Sequence, residues 1–215
     1  MDHMHYLLLG VIVCAVLAVT GCTAATSSNP VAAAVTPASA PTLALLSLTS
    51  SDVPAGYVFT SGAEKNVSDI DRLALDLGWQ GGYAVTYTNR SAEPGNQDII
   101  VQTITTYPAK NIPRIMGIIV QQESADTAMN YTDMADPGIG EISGGFTGTL
   151  RSQKNVNADE REPLMPGLAA TGVSRNFAEV YFSKGTTFEV IRMTGPHANT
   201  AEVTALARTA SAKIP

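Results

Sequence analysis

Apolar positions change their period along this chain, and each change marks an element. Ile70, Leu73, Ala74 and Leu77 recur at i, i+3, i+4 and i+7, the spacing of one helical face. Ser68 stands where an N-cap belongs, Asp69 and Asp71 suit the positive end of a helix, and Gly78 follows as a stop. The period then shortens. Tyr83, Val85 and Tyr87 alternate with Ala84, Thr86 and Thr88, which predicts a strand over Tyr83–Asn89 with one buried face. A second β-rich run, Asp98 to Tyr107, follows a connection carrying Pro94-Gly95, so the two are expected to pair antiparallel. A helix is expected from Asn111, with Pro113 tolerated in its first turn and Ile112, Ile115, Met116, Ile119 and Val120 as its apolar stripe.

The same order returns near the C-terminus. Glu179–Ser183 and Thr186–Met193 flank Lys184-Gly185, a hairpin signal with glycine at the second turn position of a type I′ connection. Asn199 with Glu202 three residues later resembles a capping box, and Val203, Leu206, Ala207 and Ala210 supply the stripe of the helix that follows. Each helix has a single apolar stripe, and an isolated hairpin is marginal in water. The pattern therefore predicts an α+β fold: an antiparallel sheet built from two hairpin-helix units, with the helices packed on it. Between the units, residues 126–176 are rich in Gly, Pro and charge, with short strands expected near Phe146–Leu150 and Gly172–Asn176. A connection of that length is functional or hides further structure.

The first residues follow a different logic. An apolar run from Leu7 to Val19 is shorter than the ~20 residues needed to cross hydrocarbon, and ends in Val19-Thr20-Gly21-Cys22. That motif resembles the lipobox of prokaryotic lipoproteins, although residues 1–6 lack the usual Lys or Arg. The expectation is a cleaved signal over residues 1–21, lipidation of Cys22, and an Ala/Thr/Ser/Pro linker over 22–42. An uncleaved anchor is the alternative. The linker composition cannot bury enough apolar surface to offset chain entropy. A single extracellular domain is expected over 43–215.

Composition narrows the chemistry. The only cysteines are Cys14 and Cys22, so the expected domain has neither a disulfide nor a Cys/His zinc set. His3 and His5 fall in the signal, leaving His197 as the one imidazole, in a loop with no evident carboxylate to orient it. A net charge of −6, with scattered Lys and Arg, argues against nucleic acid as a partner. Asp126, Asp133, Asp136 and Glu141 miss the spacing of an EF-hand loop, and Gly138-Ile139-Gly140 with Gly144-Gly145 lacks the context of a phosphate cradle, so flexible turn is expected there. Asp159, Glu160 and Glu162 form a charge cluster broken by Arg161, without the apolar setting that shifts a catalytic pKa. No catalytic residue, metal ligand or cofactor is assigned. Trp79 and Tyr83 are candidate ligand-binding residues, with packing anchors as the alternative. Asn66, Asn89 and Asn130 head sequons and are candidate glycosylation sites, at a frequency chance would supply.

Ser51-Asp52-Val53-Pro54-Ala55-Gly56-Tyr57, Gly78-Trp79-Gln80-Gly81-Gly82-Tyr83 and Tyr181-Phe182-Ser183-Lys184-Gly185 resemble segments of uncharacterised surface lipoproteins of methanogenic archaea. More distantly, the order of elements is similar to PsbP-like and mycobacterial sensor-type extracellular domains. The resemblance implies an antiparallel sheet covered by helices and brings no catalytic residue. The expected function is a membrane-tethered extracytoplasmic binding or interaction lipoprotein without catalytic activity, lipid-anchored in the cell membrane and facing outward. Its partners would be the membrane and a small molecule or an envelope protein. The alternatives are an extracellular hydrolase with its site in 126–176, or a structural envelope component.

Overall fold

The computed structural model describes residues 42–90, 97–125, 129–150 and 175–215, all within a compact unit that spans Ser39–Pro215. The expected signal, Cys22 and most of the linker lie outside the described residues, as do Asp126 and the Asp159, Glu160 and Glu162 cluster. The elements are α1 (Leu43–Leu46), β1 (Tyr57–Glu64), α2 (Arg72–Asp76), β2 (Gly81–Asn89), β3 (Ile99–Thr106), α3 (Ile112–Ala125), β4 (Met129–Asp133), β5 (Ile142–Leu150), β6 (Arg175–Lys184), β7 (Thr187–Gly195) and α4 (Thr200–Ser211). The strands form one 7-stranded sheet in the order β1-β2-β3-β7-β6-β5-β4. Every neighbouring pair is antiparallel. The fold is α+β, as the periodicities predict, and the two hairpin-helix units share the sheet.

The units meet at β3 and β7, whose register runs from Ile99↔Thr194 to Thr106↔Thr187. The sheet is covered on both sides. One face, with Val85, Ile100, Val180, Phe182 and Ile191, packs against Val203, Leu206, Ala207 and Ala210 of α4 and against Leu48 and Val53. The opposite face, with Phe146, Phe177, Tyr181 and Phe188, packs against Ile112, Ile115 and Met116 of α3 and against Leu77. Neighbouring residues of β6 therefore enter different cores, and seven consecutive positions of that strand are buried.

Sequence and structure differ in local ways that have physical causes. The expected first helix is shorter and broken. Asn66, not Ser68, caps a 3-10 turn over Val67–Asp69, Ile70 is extended, and Asp71 caps α2 by accepting from the Ala74 N–H at 2.8 Å. The C-terminal hairpin turns one residue later than expected. Lys184 pairs with Thr187, so Gly185 and Thr186 form the loop, and each β7 partner lies two residues further along than a Lys184-Gly185 turn would place it. The Gly144-Gly145 pair, expected in a flexible turn, lies inside β5. A Cβ on Gly144 would run into the Tyr181 ring of β6, so the glycine makes room for an aromatic core residue.

The α4 face also carries polar links to the chain that enters the domain. Gln102 of β3 accepts the Leu48 N–H at 2.7 Å and donates to buried Glu189 of β7 at 2.8 Å. The Tyr87 hydroxyl donates to the Leu48 carbonyl at 2.7 Å. Lys213, after α4, donates to the Ser47 carbonyl at 2.8 Å and pairs with Asp52 at 2.6 Å. Among the described residues no helix is long and apolar enough to cross a membrane.

Candidate functional site: an apolar cavity between α2 and α3

The isoleucine stripe of α3 continues past the buried Ile115 and Met116 to Ile118 and Ile119, which are only half-buried. Opposite them stands α2, a helix of 5 residues ended by Leu77. Asn111 ties the two helices together by donating to the Leu77 carbonyl at 2.8 Å. Beneath them the sheet presents Thr103 and Thr105 of β3 beside their larger cross-strand partners, Val190 and Phe188 of β7. A short helix above and threonines below leave space unfilled, and a cavity of about 160 Å³ results. Leu73, Ala74 and Leu77 line its α2 side, and Ile115, Ile118 and Ile119 its α3 side.

Four polar residues line the cavity: Thr103 and Thr105 in its floor, Tyr107, and Asp71. Thr105 is satisfied, donating to the Phe188 carbonyl at 3.1 Å. Asp71 is exposed at the mouth, with one carboxylate oxygen held by the Ala74 N–H. Burial, followed by the nearby Asp71 charge, raises the pKa of the Tyr107 hydroxyl, so it remains a neutral donor. An apolar chamber with a few polar groups is the usual build of a small-molecule site.

The residues singled out from sequence go elsewhere. Trp79 packs against the α3-face core, where its Nε1–H is buried without a partner among the described residues, and it borders an open cleft of about 380 Å³ with Lys65, Gln80 and Gly82. Tyr83 packs against the α4-face core. The structure thus places the two in different cores. Asn66 and Asn130 are exposed, and Asn89 ends β2 with its N–H donated to the Asp98 carbonyl. Asp136 accepts from the Gly138 N–H and from Ser143, and these bonds, the Ser143 one foremost, lower its carboxyl pKa. Glu141 accepts the Gly185 N–H at 3.1 Å. Among the described residues no three His, Cys, Asp or Glu side chains are grouped to hold a metal ion.

His197 departs from expectation in one respect. Its side chain is 73% exposed, as its loop position suggests, but Asp98 does orient it. Asp98 is buried, with one oxygen 2.9 Å from His197 Nδ1 and the other accepting the His197 backbone N–H at 2.9 Å. Gly195 makes this possible, because a Cβ there would overlap the Asp98 carboxylate. Sequence could not reveal the pair, since its members lie 99 positions apart. An aspartate and a histidine are two parts of a triad. Among the described residues the hydrogen bonds of this ring run to Asp98, and the arrangement fastens the loop to the end of β3.

No protein-family profile matches the chain, and no curated protein matches it either. In solved structures the fold is similar to the extracellular domain of PknH from Mycobacterium tuberculosis, at a TM-score of 0.52 and 11% identity, covering 79% of this chain and 93% of that one. At that identity the likeness concerns the fold, and it agrees with the antiparallel sheet covered by helices that the resemblance implies.

Proposed function

We propose that this chain is an extracytoplasmic domain that binds a small molecule without transforming it, and that a lipid on Cys22 holds it at the outer face of the cell membrane. The observation that carries the binding role is the apolar cavity between α2 and α3, lined by leucines and isoleucines with a few polar residues among them. The matched PknH structure is an extracellular domain, and the same placement suits a chain whose first residues resemble a signal and lipobox. The segment resemblance to archaeal surface lipoproteins supports the same address. Under this reading residues 1–21 are removed, 22–42 space the domain from the bilayer, and 43–215 are the binding unit. Lipid anchoring by two acyl chains is stable where one is reversible.

Two measurements on the full-length protein test this. Native mass spectrometry should find a small molecule travelling with the protein, and co-purification of an envelope protein alone would favour an assembly role instead. Cys22→Ser should move the folded protein out of the membrane fraction. Unchanged membrane attachment of a correctly cleaved mutant would exclude the lipid anchor.

A further inference from the structure

A cavity of about 160 Å³, open on one side, matches a small apolar body. An engineered apolar cavity of ~150 Å³ holds benzene, so one ring or a branched aliphatic body of similar bulk fills it and leaves the polar part of the ligand at the opening. The walls demand an apolar body, because Leu77, Ile115 and Phe188 offer no hydrogen bond from their side chains.

The mouth of the cavity selects the other part of the ligand. Asp71 stands at the mouth as an acceptor with a full negative charge, and one of its oxygens is already committed to capping α2. The second oxygen can receive a donor arriving from the cavity. A carboxylate or phosphate placed there would be repelled, whereas an ammonium would be attracted and keep contact with solvent at the mouth. Arg72 is exposed beside it, but its guanidinium faces Asp76 at 3.9 Å.

We infer that the cavity takes a compact primary amine: an apolar body of about one ring, with a cationic head directed at Asp71. This rests on the reading that the cavity binds a small molecule, and it adds the class of ligand.

The test uses benzylamine, benzoate and toluene as probes of the full-length protein, read from the carbon-13 methyl resonances of its isoleucines so that partition into lipid does not count as binding. Benzylamine should shift the Ile115, Ile118 and Ile119 methyls saturably and bind about tenfold or more tightly than benzoate. Asp71→Asn removes the charge but keeps a good N-cap, so it should leave the fold intact and erase most of that preference. Saturable binding of toluene with equal affinities for benzylamine and benzoate would overturn the amine assignment while leaving the binding site in place. Persistence of the preference in Asp71→Asn would also overturn it. No saturable shift with any of the three probes would overturn both the ligand class and the cavity as a site.

Discussion

The two faces of the sheet receive the same kind of unit, a helix following a hairpin, and handle it differently. On one face Val203, Leu206, Ala207 and Ala210 of α4 are at most 3% exposed, and the two alanines let the helix lie close to β6 and β7. On the other face the α3 stripe is isoleucine-rich, and its second half stands over Thr103 and Thr105 with Ile118 and Ile119 facing a cavity. Small residues on a helix with large ones on the sheet give a closed interface. Bulky residues on a helix over threonines, with only a short helix beside it, leave an opening. One face is thus closed by its packing, while the other keeps a cavity.

That asymmetry predicts unequal costs for equal truncations. Leu206→Ala should cost about 2 to 5 kcal/mol, the range for a large side chain removed from a closed core. Ile119→Ala should cost about 1 kcal/mol, since Ile119 already borders open space and is only half-buried. Denaturant midpoints check this, and equal losses would mean that the two faces are packed alike. The cost of Ile119→Ala is smaller than the apolar stripe alone suggests, because the stripe does not reveal what lies opposite.

The α4 face also carries a buried carboxyl, Glu189. Burial pushes the Glu189 carboxyl up to about 7, against opposing pulls from Gln102 and Lys213. The folded state therefore holds this proton more firmly than the unfolded chain does. Its contribution is fully present below the ordinary value of 4.5 and lost as pH rises through about 7. The full change is roughly 3 kcal/mol by the linkage constant per pKa unit. Asp52 behaves in the opposite way. Burial works against its charge, but hydrogen bonds from Lys213 and Thr49 hold its carboxyl at about 2, so its contribution is fully present above 3.8 and is lost as pH falls from there through about 2. Urea titrations across pH should show stability falling between about pH 4.5 and 7, and Glu189→Gln should flatten that fall. An unchanged slope in the variant would assign the effect to another group.

A similarly small effect belongs to His197, the exposed member of its pair with buried Asp98. His197→Ala removes one bond to Asp98 but leaves the backbone N–H on the other carboxylate oxygen, so the loss should be about 1 kcal/mol. It should leave amine binding in the α2–α3 cavity unchanged. Thermal melts together with the methyl titration check both outcomes.

The readability of these features follows from the range of the interactions behind them. Helix α4 is legible to the residue, because Asn199, Glu202 and the stripe all lie within a dozen positions and the same signals act in the structure. Both hairpins are legible from alternation, although the exact loop at Gly185 is not, since neighbouring loops one residue apart share almost the same composition. Strand β1 is hidden because it is an edge strand exposed over most of its length, with a register shift between Phe59 and Ser61. Strand β5 is legible only in its second half, Phe146–Leu150, because its first half carries Gly144-Gly145, which reads as a turn although Gly144 makes room for Tyr181. The cavity is not legible at all. Its polar mouth was assigned to a helix start through Asp71, and its floor to a strand through Thr103 and Thr105, but the empty volume exists only between elements.

The sheet order carries a consequence for how the molecule comes into being. Strands β7 and β6, the last to be synthesised, occupy the middle of the sheet and join β1-β2-β3 to β5-β4. A nascent chain stopped before Arg175 has two unfinished β edges, at β3 and β5, and no central pair to connect them. Those pairings span long stretches of sequence and form late. Completion is thus delayed until β6 and β7 have both been made, and the middle of the sheet is the last part of it to close.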